Sequence, residues 1–362
     1  MENERVILVT GGAGFIGSHL VRQLLRHTNA QVVNLDLLTY AGNLASLADI
    51  ETNPRYHFRQ ANISEPAALQ SIFAEFQPST VVHLAAESHV DRSIAGPDTF
   101  IETNVIGTYH LLQVTRERFE TLDAFQQDRF RFIHISTDEI FGSLDLGAPK
   151  FNEHARYQPR SPYSASKAAA DHFVRAWRET FGLPTIVAVC SNNFGPNQHL
   201  EKLIPKSILH AVHGRPIPIY GDGQNIRDWL YVVESAAALL LVCERGQVGE
   251  TYLIGGEQEL TNLELVTRIC QLMDEIYPAS NNPAMADLVQ AGMSYANLIQ
   301  FVEDRKGHDF RYALDCRLTK NQLGWRASSN FDQQLKETVA WYVQQIRVNS
   351  PWIQRALASL NP

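Results

Sequence analysis

The sequence predicts an α/β fold, a doubly wound and mostly parallel sheet with a smaller mixed α/β lobe. Short β-branched runs alternate with amphipathic segments, which indicates parallel strands joined by crossover helices. Val6 to Val9 and Val81 to Leu84 are nearly continuous apolar runs, as expected of strands buried on both faces. After about residue 190 proline and glycine cluster, and we interpret this change as entry into the second lobe.

The predicted elements follow one another at regular spacing. They are strands Val6 to Thr10, Gln31 to Asp36, Thr80 to Leu84 and Phe130 to Ser136, with helices Gly17 to His27 and Ser161 to Thr180.

Composition and net charge exclude several classes of protein. The 362 residues, 44% hydrophobic and 19% charged, suffice for one sizeable domain plus a second lobe. The formal net charge of -8 argues against a nucleic-acid partner. Four cysteines without CxxC spacing indicate neither a zinc site nor disulfides, which fits a cytoplasmic location. The longest apolar stretch, Ala236 to Cys243, is too short for a membrane span, and no export leader is expected.

A glycine-rich turn, Gly11 to Gly17, lies between the first strand and the first helix. Glycines there permit a tight turn and let backbone N–H groups and the helix N-terminus contact a pyrophosphate. Asp36 ends the second strand, where a carboxylate accepts hydrogen bonds from the adenosine ribose of NAD and repels the extra phosphate of NADP. Alternatively, the glycines form a plain connector and Asp36 caps a helix or turn. Because the Asp36 carboxylate favours a free ribose, we predict NAD rather than NADP as the cofactor.

Tyr163 and Lys167 lie four residues apart on one face of a predicted helix. A phenol titrates near ~10, so a tyrosine that acts at neutral pH needs its pKa lowered by roughly 3 units, or about 4 kcal/mol. Lys167 and a cationic nicotinamide ring would supply this together. The YxxxK spacing also occurs in ordinary helices, but Ser136 and Thr137 at the end of an internal strand favour a functional interpretation.

Two adjacent acids, Asp138 and Glu139, directly follow Thr137. Elimination of water needs one group to remove a carbon-bound proton and another to protonate the departing hydroxyl. Neighbouring carboxyls in a partly desolvated site develop separated proton affinities, which suits that division. The alternative is an acid pair that caps a helix. Together with the Tyr/Lys pair, the acids predict oxidation combined with elimination.

These motifs resemble those of extended short-chain dehydrogenases/reductases that act on nucleotide sugars, and among them the 4,6-dehydratases. The resemblance covers nearly the full length, and the Thr-Asp-Glu triplet is its discriminating element, since related epimerases generally lack the acid pair. The stretches that carry it are Val9 to Ser18, Leu38 to Leu44, His83 to Ser93, Ser136 to Glu139, Ser191 to Pro196 and Ile226 to Val232.

The resemblance implies NAD as cofactor, dTDP-glucose as substrate and a role for each motif residue. Tyr163 would take the C4 hydroxyl proton during hydride transfer to NAD, with Thr137 bonded to the same oxygen and Lys167 holding the tyrosine and the nicotinamide ribose. Glu139 would remove the C5 proton and Asp138 would protonate the leaving C6 hydroxyl. Hydride return to C6 would give a 4-keto-6-deoxy sugar nucleotide.

The resemblance also implies two sets of binding residues. Cofactor contacts would come from Gly11, Gly14, Phe15, Ile16, Gly17, Asp36, Leu38, Thr39, Asn62, Ile63, Leu84, Ala85, Ala86, Thr103, Tyr163 and Lys167. Substrate contacts would come from Ser88, Thr137, Asn193, Lys202, Leu203, Pro218, Tyr220, Arg227, Asn262, Arg305 and His308. No metal is predicted, because His83, His89 and His134 lack HxH or HExxH spacing.

The predicted NAD-binding Rossmann domain spans 1–190 and about 227–254, and the sugar-nucleotide lobe spans about 191–226 and 255–362. Asp98 to Arg116 and Tyr163 to Phe181 are amphipathic and, by analogy, would pair with their copies in a homodimer. The alternative is that both helices only cover the sheet.

Some residues depart from the family pattern. Asn62 stands where relatives commonly have Asp beside the adenine amino group, so NAD would be held less tightly. Leu37, Phe141 and Lys306 replace a usual lysine, tyrosine and proline, without removing a proposed catalytic group.

Two other functions stay open. A 4-epimerase would need Tyr163 and Lys167 but not the acid pair. A catalytically silent dinucleotide sensor would need none of these groups together.

Overall fold

The computed structural model describes residues 5–358. Its strands are β1 (Val6–Thr10), β2 (Gln31–Asp36), β3 (Tyr56–Gln60), β4 (Thr80–His83), β5 (Arg131–Thr137), β6 (Thr185–Cys190), β7 (Asn192–Phe194), β8 (Ile217–Tyr220), β9 (Ile226–Tyr231), β10 (Thr251–Ile254), β11 (Glu259–Thr261) and β12 (Ile299–Val302).

Helices connect these strands. They are α1 (Phe15–His27), α2 (Pro66–Phe76), α3 (Val90–Ala95), α4 (Asp98–Phe100), α5 (Thr108–Glu120), α6 (Ala124–Arg129), α7 (Pro162–Phe181), α8 (Leu203–Val212), α9 (Val232–Arg245), α10 (Asn262–Ile276), α11 (Ala286–Gln290), α12 (Arg317–Leu323), α13 (Phe331–Arg347) and α14 (Pro351–Ala358). Short 3-10 turns lie at Leu44–Leu47, Asp138–Phe141, Ala279–Asn281, Pro283–Met285 and Tyr295–Leu298.

The main sheet has seven strands in the order β3-β2-β1-β4-β5-β6-β10. Every neighbouring pair is parallel; Leu8, for example, lies opposite both Val33 and Val81. The strand order reverses between β1 and β4, and in such sheets ligands bind outside the carboxyl ends of the strands at that point. The predicted doubly wound parallel sheet is confirmed.

Alternate residues of β1 face opposite cores, as the two-residue period of a strand requires. Ile7 and Val9 pack in a core with Leu20 of α1 and Leu239 of α9. Leu8 packs on the other side, in a core that includes Leu111 of α5. The sheet is thus covered by helices on both faces.

A second lobe surrounds its own core, to which α8, α10, α13 and α14 contribute. It contains the three-stranded sheet β11-β9-β7 and the two-stranded sheet β12-β8. Residues 317–325 pack against the main sheet instead: the Thr319 hydroxyl donates to the Leu253 carbonyl over 2.7 Å, and Leu323 joins the core beneath α9. The domain limits given above remain a prediction.

Helix α7 begins and ends at clear signals. The Ser161 side chain accepts a bond from the Ser164 N–H in a capping box, Pro162 occupies the first turn, and Gly182 closes the helix at φ 68°. These signals fix the ends of the helix that carries Tyr163 and Lys167.

The stretch predicted as a helix from Asp98 is interrupted. A π-helical segment, Ile101–Gly107, lies between α4 and α5, and such segments often occur at functional sites. Thr103, within this segment, lines the cleft described below. None of the helices between residues 5 and 358 combines the length and apolarity needed to cross a bilayer.

Candidate active site

A cleft runs along the carboxyl ends of β1, β2, β4 and β5 and continues into the second lobe. We call its two parts the sheet cleft and the lobe cleft; Ser88, Glu139, Asn193 and Lys202 line both. Other predicted residues that line the sheet cleft are Gly11, Gly14, Phe15, Ile16, Gly17, Asp36, Thr39, Asn62, Ile63, Leu84, Ala85, Ala86, Thr103, Thr137, Asp138, Tyr163 and Lys167. Those that line the lobe cleft are Leu203, Pro218, Tyr220, Arg227, Asn262, Arg305 and His308.

The glycine-rich turn brings backbone directly to the sheet cleft. Gly11 has φ +75°, and a Cβ there would lie 2.6 Å from the Ala85 nitrogen. A Cβ on Gly17 would overlap the Gly11 carbonyl oxygen. Gly14 precedes α1 and leaves the helix N-terminus uncapped by any side chain. This cradle fits the pyrophosphate of a dinucleotide.

Asp36 lies at the end of β2, beside the same cleft. Its carboxylate accepts bonds from the Ala13 N–H (2.9 Å) and the Leu38 N–H (2.8 Å). Burial raises the pKa of Asp36, and these two backbone bonds oppose that rise. Leu38 is the one predicted cofactor residue that the cleft lining omits among residues 5–358. Its side chain packs against the core beneath α1, and its backbone orients Asp36.

Asn62 also lines the sheet cleft. Its side-chain oxygen accepts a bond from the Ser64 N–H over 2.9 Å. An amide oxygen has two lone pairs, so one acceptor site of Asn62 is already used and one is left for a ligand.

The predicted acid pair lies immediately after β5. The Thr137 side chain caps the 3-10 turn Asp138–Phe141 and donates to Asp138 Oδ1 over 3.3 Å. Asp138 is 1% exposed, and its Oδ2 has no hydrogen-bond partner among the described residues. Burial, together with the charges of Glu139 and Asp228, raises the pKa of Asp138 well above its usual value.

Glu139 occupies the junction of the two cleft parts. Burial raises its pKa, but the charges of Arg227, Lys202 and Arg305 oppose that rise. The ionised form of Asp138 is stabilised less, because the largest charge effect on it comes from the carboxylate of Glu139, which raises its pKa further. The two adjacent acids therefore differ in environment: Asp138 favours the protonated form more strongly than Glu139.

Tyr163 and Lys167 share one face of α7, as predicted, and both are buried. Lys167 donates to the Ile135 carbonyl of β5 over 2.8 Å, and burial lowers its pKa to about 8. Burial and the charge of Glu139 raise the pKa of Tyr163, against a hydrogen bond with Thr137. The protein groups therefore raise the pKa of Tyr163 overall, instead of lowering it as expected.

The lobe cleft gathers three of the predicted cations. The Lys202 ammonium donates to the Ser88 carbonyl over 3.0 Å. Arg227 is held by the carbonyls of Ile226 (2.8 Å) and Asp309 (2.9 Å). Arg305 is paired with Asp91. Cations with fixed positions suit phosphate oxygens.

The sequence prediction missed a cluster between the two cleft parts. Glu201, whose side chain is 7% exposed, lies 3.5 Å from His89 Nε2 and 3.6 Å from Arg92 Nε. The Arg92 guanidinium lies 3.8 Å from the centre of the Tyr40 ring. The stretches that carry the family resemblance include Tyr40, His89 and Arg92. That membership was the one feature of the sequence that could have pointed to them as functional residues. For Glu201, the sequence offered only its position directly before Lys202, a predicted substrate residue.

The conspicuous histidines make local hydrogen bonds. His83 bonds the hydroxyls of Thr10 (2.8 Å) and Thr108 (2.9 Å), and His134 Nε2 lies 3.0 Å from Asp171 Oδ1. His89 accepts from the Arg92 N–H at the start of α3. Between residues 5 and 358, no group of three or more His, Cys, Asp and Glu side chains is arranged to hold a metal ion.

Comparison with known proteins gives a consistent result. The profile of the GDP-mannose 4,6 dehydratase family matches residues 8–338. A dTDP-glucose 4,6-dehydratase from Haemophilus influenzae is 52% identical over 337 residues, which is 93% of this chain and 97% of that protein.

Solved structures also resemble this fold. The crystal structure of a dTDP-glucose 4,6-dehydratase from Streptomyces venezuelae, with NAD bound, has a TM-score of 0.82 and 40% identity over 96% of this chain and 99% of that chain. A UDP-glucose 4-epimerase from Thermotoga maritima is more distant, with a TM-score of 0.78 and 27% identity over 94% and 99% of the two chains.

Proposed function

Because this chain belongs to the family of dTDP-glucose 4,6-dehydratases, we propose that it converts dTDP-glucose to dTDP-4-keto-6-deoxyglucose and water. The enzyme is an NAD-dependent hydro-lyase. The observation that carries the proposal is the adjacent Asp138–Glu139 pair, which lies in the same cleft as Tyr163 and Lys167.

NAD is the cofactor, and the sheet cleft fits it. Gly11, Gly14 and Gly17 let backbone and the N-terminus of α1 meet the pyrophosphate, and Asp36 accepts from the adenosine ribose. When bound, NAD takes a hydride from C4 of the sugar and later returns it to C6, so the cycle is redox-neutral.

Tyr163 and Thr137 act in the oxidation. Tyr163 takes the proton from the C4 hydroxyl, and Thr137 hydrogen-bonds the same oxygen. The phenolate form of Tyr163 is disfavoured by burial and by Glu139. The positive charges of Lys167 and of the oxidised nicotinamide ring together must stabilise it.

Glu139 and Asp138 act in the elimination. The 4-ketone acidifies the C5 hydrogen, which Glu139 removes while Asp138 gives its proton to the leaving C6 oxygen. The support for this assignment is electrostatic: three cations favour the ionised form of Glu139, whereas burial and Glu139 favour the protonated form of Asp138. The two adjacent carboxyls therefore differ in proton affinity, as a division into one acid and one base requires.

The substrate diphosphate would lie in the lobe cleft. Lys202, Arg227 and Arg305 line this part of the site, and Arg227 is held by backbone carbonyls that fix its guanidinium. Asn193 and His308 add polar groups to the same wall. The arrangement supports a nucleoside diphosphate-sugar, with the sugar directed towards Glu139.

The direct test is incubation of the purified protein with NAD and dTDP-glucose, followed by mass spectrometry of the sugar nucleotide. We expect a product lighter by one water, with no net reduction of NAD. A product of unchanged mass with inverted C4 would support the epimerase alternative. Conversion of UDP- or GDP-glucose in preference to dTDP-glucose would overturn the assigned base.

We also propose a homodimer in the cytoplasm. The stretches Asp98 to Arg116 and Tyr163 to Phe181 display exposed apolar side chains: Ile101 is 52% exposed, Phe181 40% and Tyr109 37%. Burial of such a patch against a second copy would favour association. The four cysteines are free and buried, which supports a reducing compartment.

A further inference from the structure

Helix α7 carries a buried acid that the proposed reaction does not use. Asp171 lies one turn after Lys167 and is 0% exposed. It lies behind the cleft, with Oδ1 3.0 Å from His134 Nε2 and Oδ2 accepting from the Tyr157 hydroxyl over 2.9 Å. A buried carboxylate is costly unless it is hydrogen-bonded and its charge is offset. Both oxygens are bonded, so the remaining question is which cation offsets the charge.

The hydrogen-bond donors of Asp171 are neutral. Burial and the charge of Lys167 lower the pKa of His134 to about 4, and burial raises the pKa of Tyr157. Burial alone would raise the pKa of Asp171, but the His134 hydrogen bond and the charge of Lys167 keep it below its usual value. Asp171 is therefore an anion. The cations on its helix are Lys167, Arg175 and Arg178, and Arg178 pairs with Glu179.

Arg175 belongs to the same hydrogen-bond network, on the other side of Tyr157 from Asp171. Its Nη2 donates to the Tyr157 hydroxyl over 3.1 Å and to the Thr251 hydroxyl over 2.8 Å. Its hydrogen-bond path to Asp171 runs through Tyr157. The i, i+4 spacing places both Lys167 and Arg175 on the same face of α7 as Asp171, and the charge of Lys167 lowers the pKa of Asp171.

The other groups around Lys167 supply no negative charge at neutral pH. Burial lowers the pKa of His83 on β4 and of His134 on β5. Burial raises the pKa of Cys190 on β6 to about 12 and raises that of Tyr163 on α7. Burial lowers the pKa of Lys167 to about 8, and Asp171 is the first group that opposes this fall.

We propose that Asp171 is a positioning residue, whose buried carboxylate, held by His134 and Tyr157, keeps Lys167 as an ammonium ion on the face of α7 that carries Tyr163. This inference rests on the function proposed above, in which the charge of Lys167 helps Tyr163 to become a phenolate. A neutral amine could still donate to the Ile135 carbonyl, but it would not stabilise that anion.

The protonation state of Lys167 can be measured directly. The chain has only the lysines Lys150, Lys167, Lys202, Lys206, Lys306, Lys320 and Lys336. In protein labelled with carbon-13 at the lysine ε-carbons and saturated with NAD, the Lys167 resonance is assigned by its loss in Lys167→Met. We expect its titration midpoint in Asp171→Asn to fall by at least about one pH unit, a ten-fold change in acid dissociation.

Kinetics provide a second readout. At pH 7 we expect Asp171→Asn to lower kcat for dTDP-glucose about ten-fold or more, with KM changed less than about two-fold, because Asp171 lies behind the cleft. Asp171→Ser also removes the charge and makes the same prediction if Asp171→Asn does not fold.

Arg175→Gln is the matched control, since it disturbs the same network but leaves the Asp171 charge in place. Its Lys167 midpoint should not fall. An unchanged midpoint in Asp171→Asn, or an equal fall in Arg175→Gln, would overturn the proposal. If the wild-type protein does not dehydrate dTDP-glucose, the proposed function fails, whereas the titration still reports whether Asp171 controls Lys167.

Discussion

Asp91 and Arg305 form an ion pair across the lobe cleft, with Arg305 Nε 2.6 Å from Asp91 Oδ1. Asp91 belongs to α3 beside the main sheet, whereas Arg305 belongs to the second lobe. The Tyr220 hydroxyl also donates to Asp91, over 3.1 Å. Asp91 thus occupies the guanidinium that a substrate diphosphate would use, and the two anions compete for Arg305.

Asp91→Asn should therefore tighten the binding of dTDP, because the competing carboxylate is removed while Arg305 stays beside the Tyr220 ring. We expect an effect of about two- to five-fold in Kd, measured by calorimetric titration. Arg305→Gln should weaken binding about ten-fold or more. Weaker binding by Asp91→Asn would mean instead that Asp91 is needed to hold Arg305 in place.

Glu139→Gln should separate oxidation from elimination. The variant retains Tyr163, Thr137 and Lys167, so the C4 hydroxyl can still be oxidised, but the C5 proton has no base. We expect the absorbance of reduced cofactor to rise after mixing with dTDP-glucose, while water loss slows at least about 100-fold.

The matched variant is Asp138→Asn, which retains the base and loses the acid; water loss should also slow, through failure to protonate the C6 oxygen. Product formation by Glu139→Gln at the wild-type rate would exclude Glu139 as the base.

Asp138→Asn should also stabilise the fold at neutral pH. Burial and Glu139 raise the folded-state pKa of Asp138 above its unfolded value. Its contribution to stability is therefore complete below the unfolded pKa near ~4, and is lost as the pH rises towards the folded pKa. Asn avoids that loss, and each kcal/mol regained raises the unfolding midpoint by about 2 °C in a chain of this size.

Thermal unfolding of both proteins at a series of pH values tests the direction of this effect. The difference between variant and wild type should be positive at pH 7 and shrink as the pH approaches ~4. A lower midpoint for the variant at pH 7 would contradict it.

Asn62→Asp should increase NAD affinity. Asp would keep the bond from the Ser64 N–H and present a charged acceptor to the adenine amino group. We expect a Kd lower by about three- to ten-fold, measured by cofactor titration. Asn53→Asp is the control, because Asn53 makes the same contact with the Arg55 N–H outside the sheet cleft; it should leave the Kd unchanged. An equal gain in both variants would point to overall charge.

Tyr109→Glu should break the proposed dimer. Tyr109 is 37% exposed, and its ring packs edge-on against Trp177 of α7 with centroids 5.8 Å apart. A buried charge at the interface without a partner would oppose association. Sedimentation at micromolar concentration should give a dimer for wild type and a monomer for this variant.

The control is Phe125→Glu on α6, where Phe125 is 69% exposed; it should remain dimeric. A wild-type monomer would remove the dimer proposal, and a dimeric Tyr109→Glu would move the interface elsewhere.

Much of the fold and part of the site follow from local sequence. The predicted strands Val6 to Thr10 and Gln31 to Asp36 match the structure at both ends, because apolar runs between turn residues report burial directly. The glycine turn and the Tyr163/Lys167 pair were also predicted, because glycines permit a tight turn and the helical period places residues four apart on one face. The helix predicted from Asp98 was only partly right, because the π-helical segment Ile101–Gly107 interrupts it.

The sequence by itself therefore determined the parallel sheet, and it placed the glycine-rich turn and the side chains that we propose to react. Tertiary structure alone decided which distant polar side chains meet: Asp91 with Arg305, Glu201 with His89 and Arg92, and Asp171 with His134. It also decided that the protein raises the pKa of Tyr163. The physical reason is that periodicity and spacing are properties of a segment, whereas desolvation and charge balance are set by groups that folding brings together from remote positions.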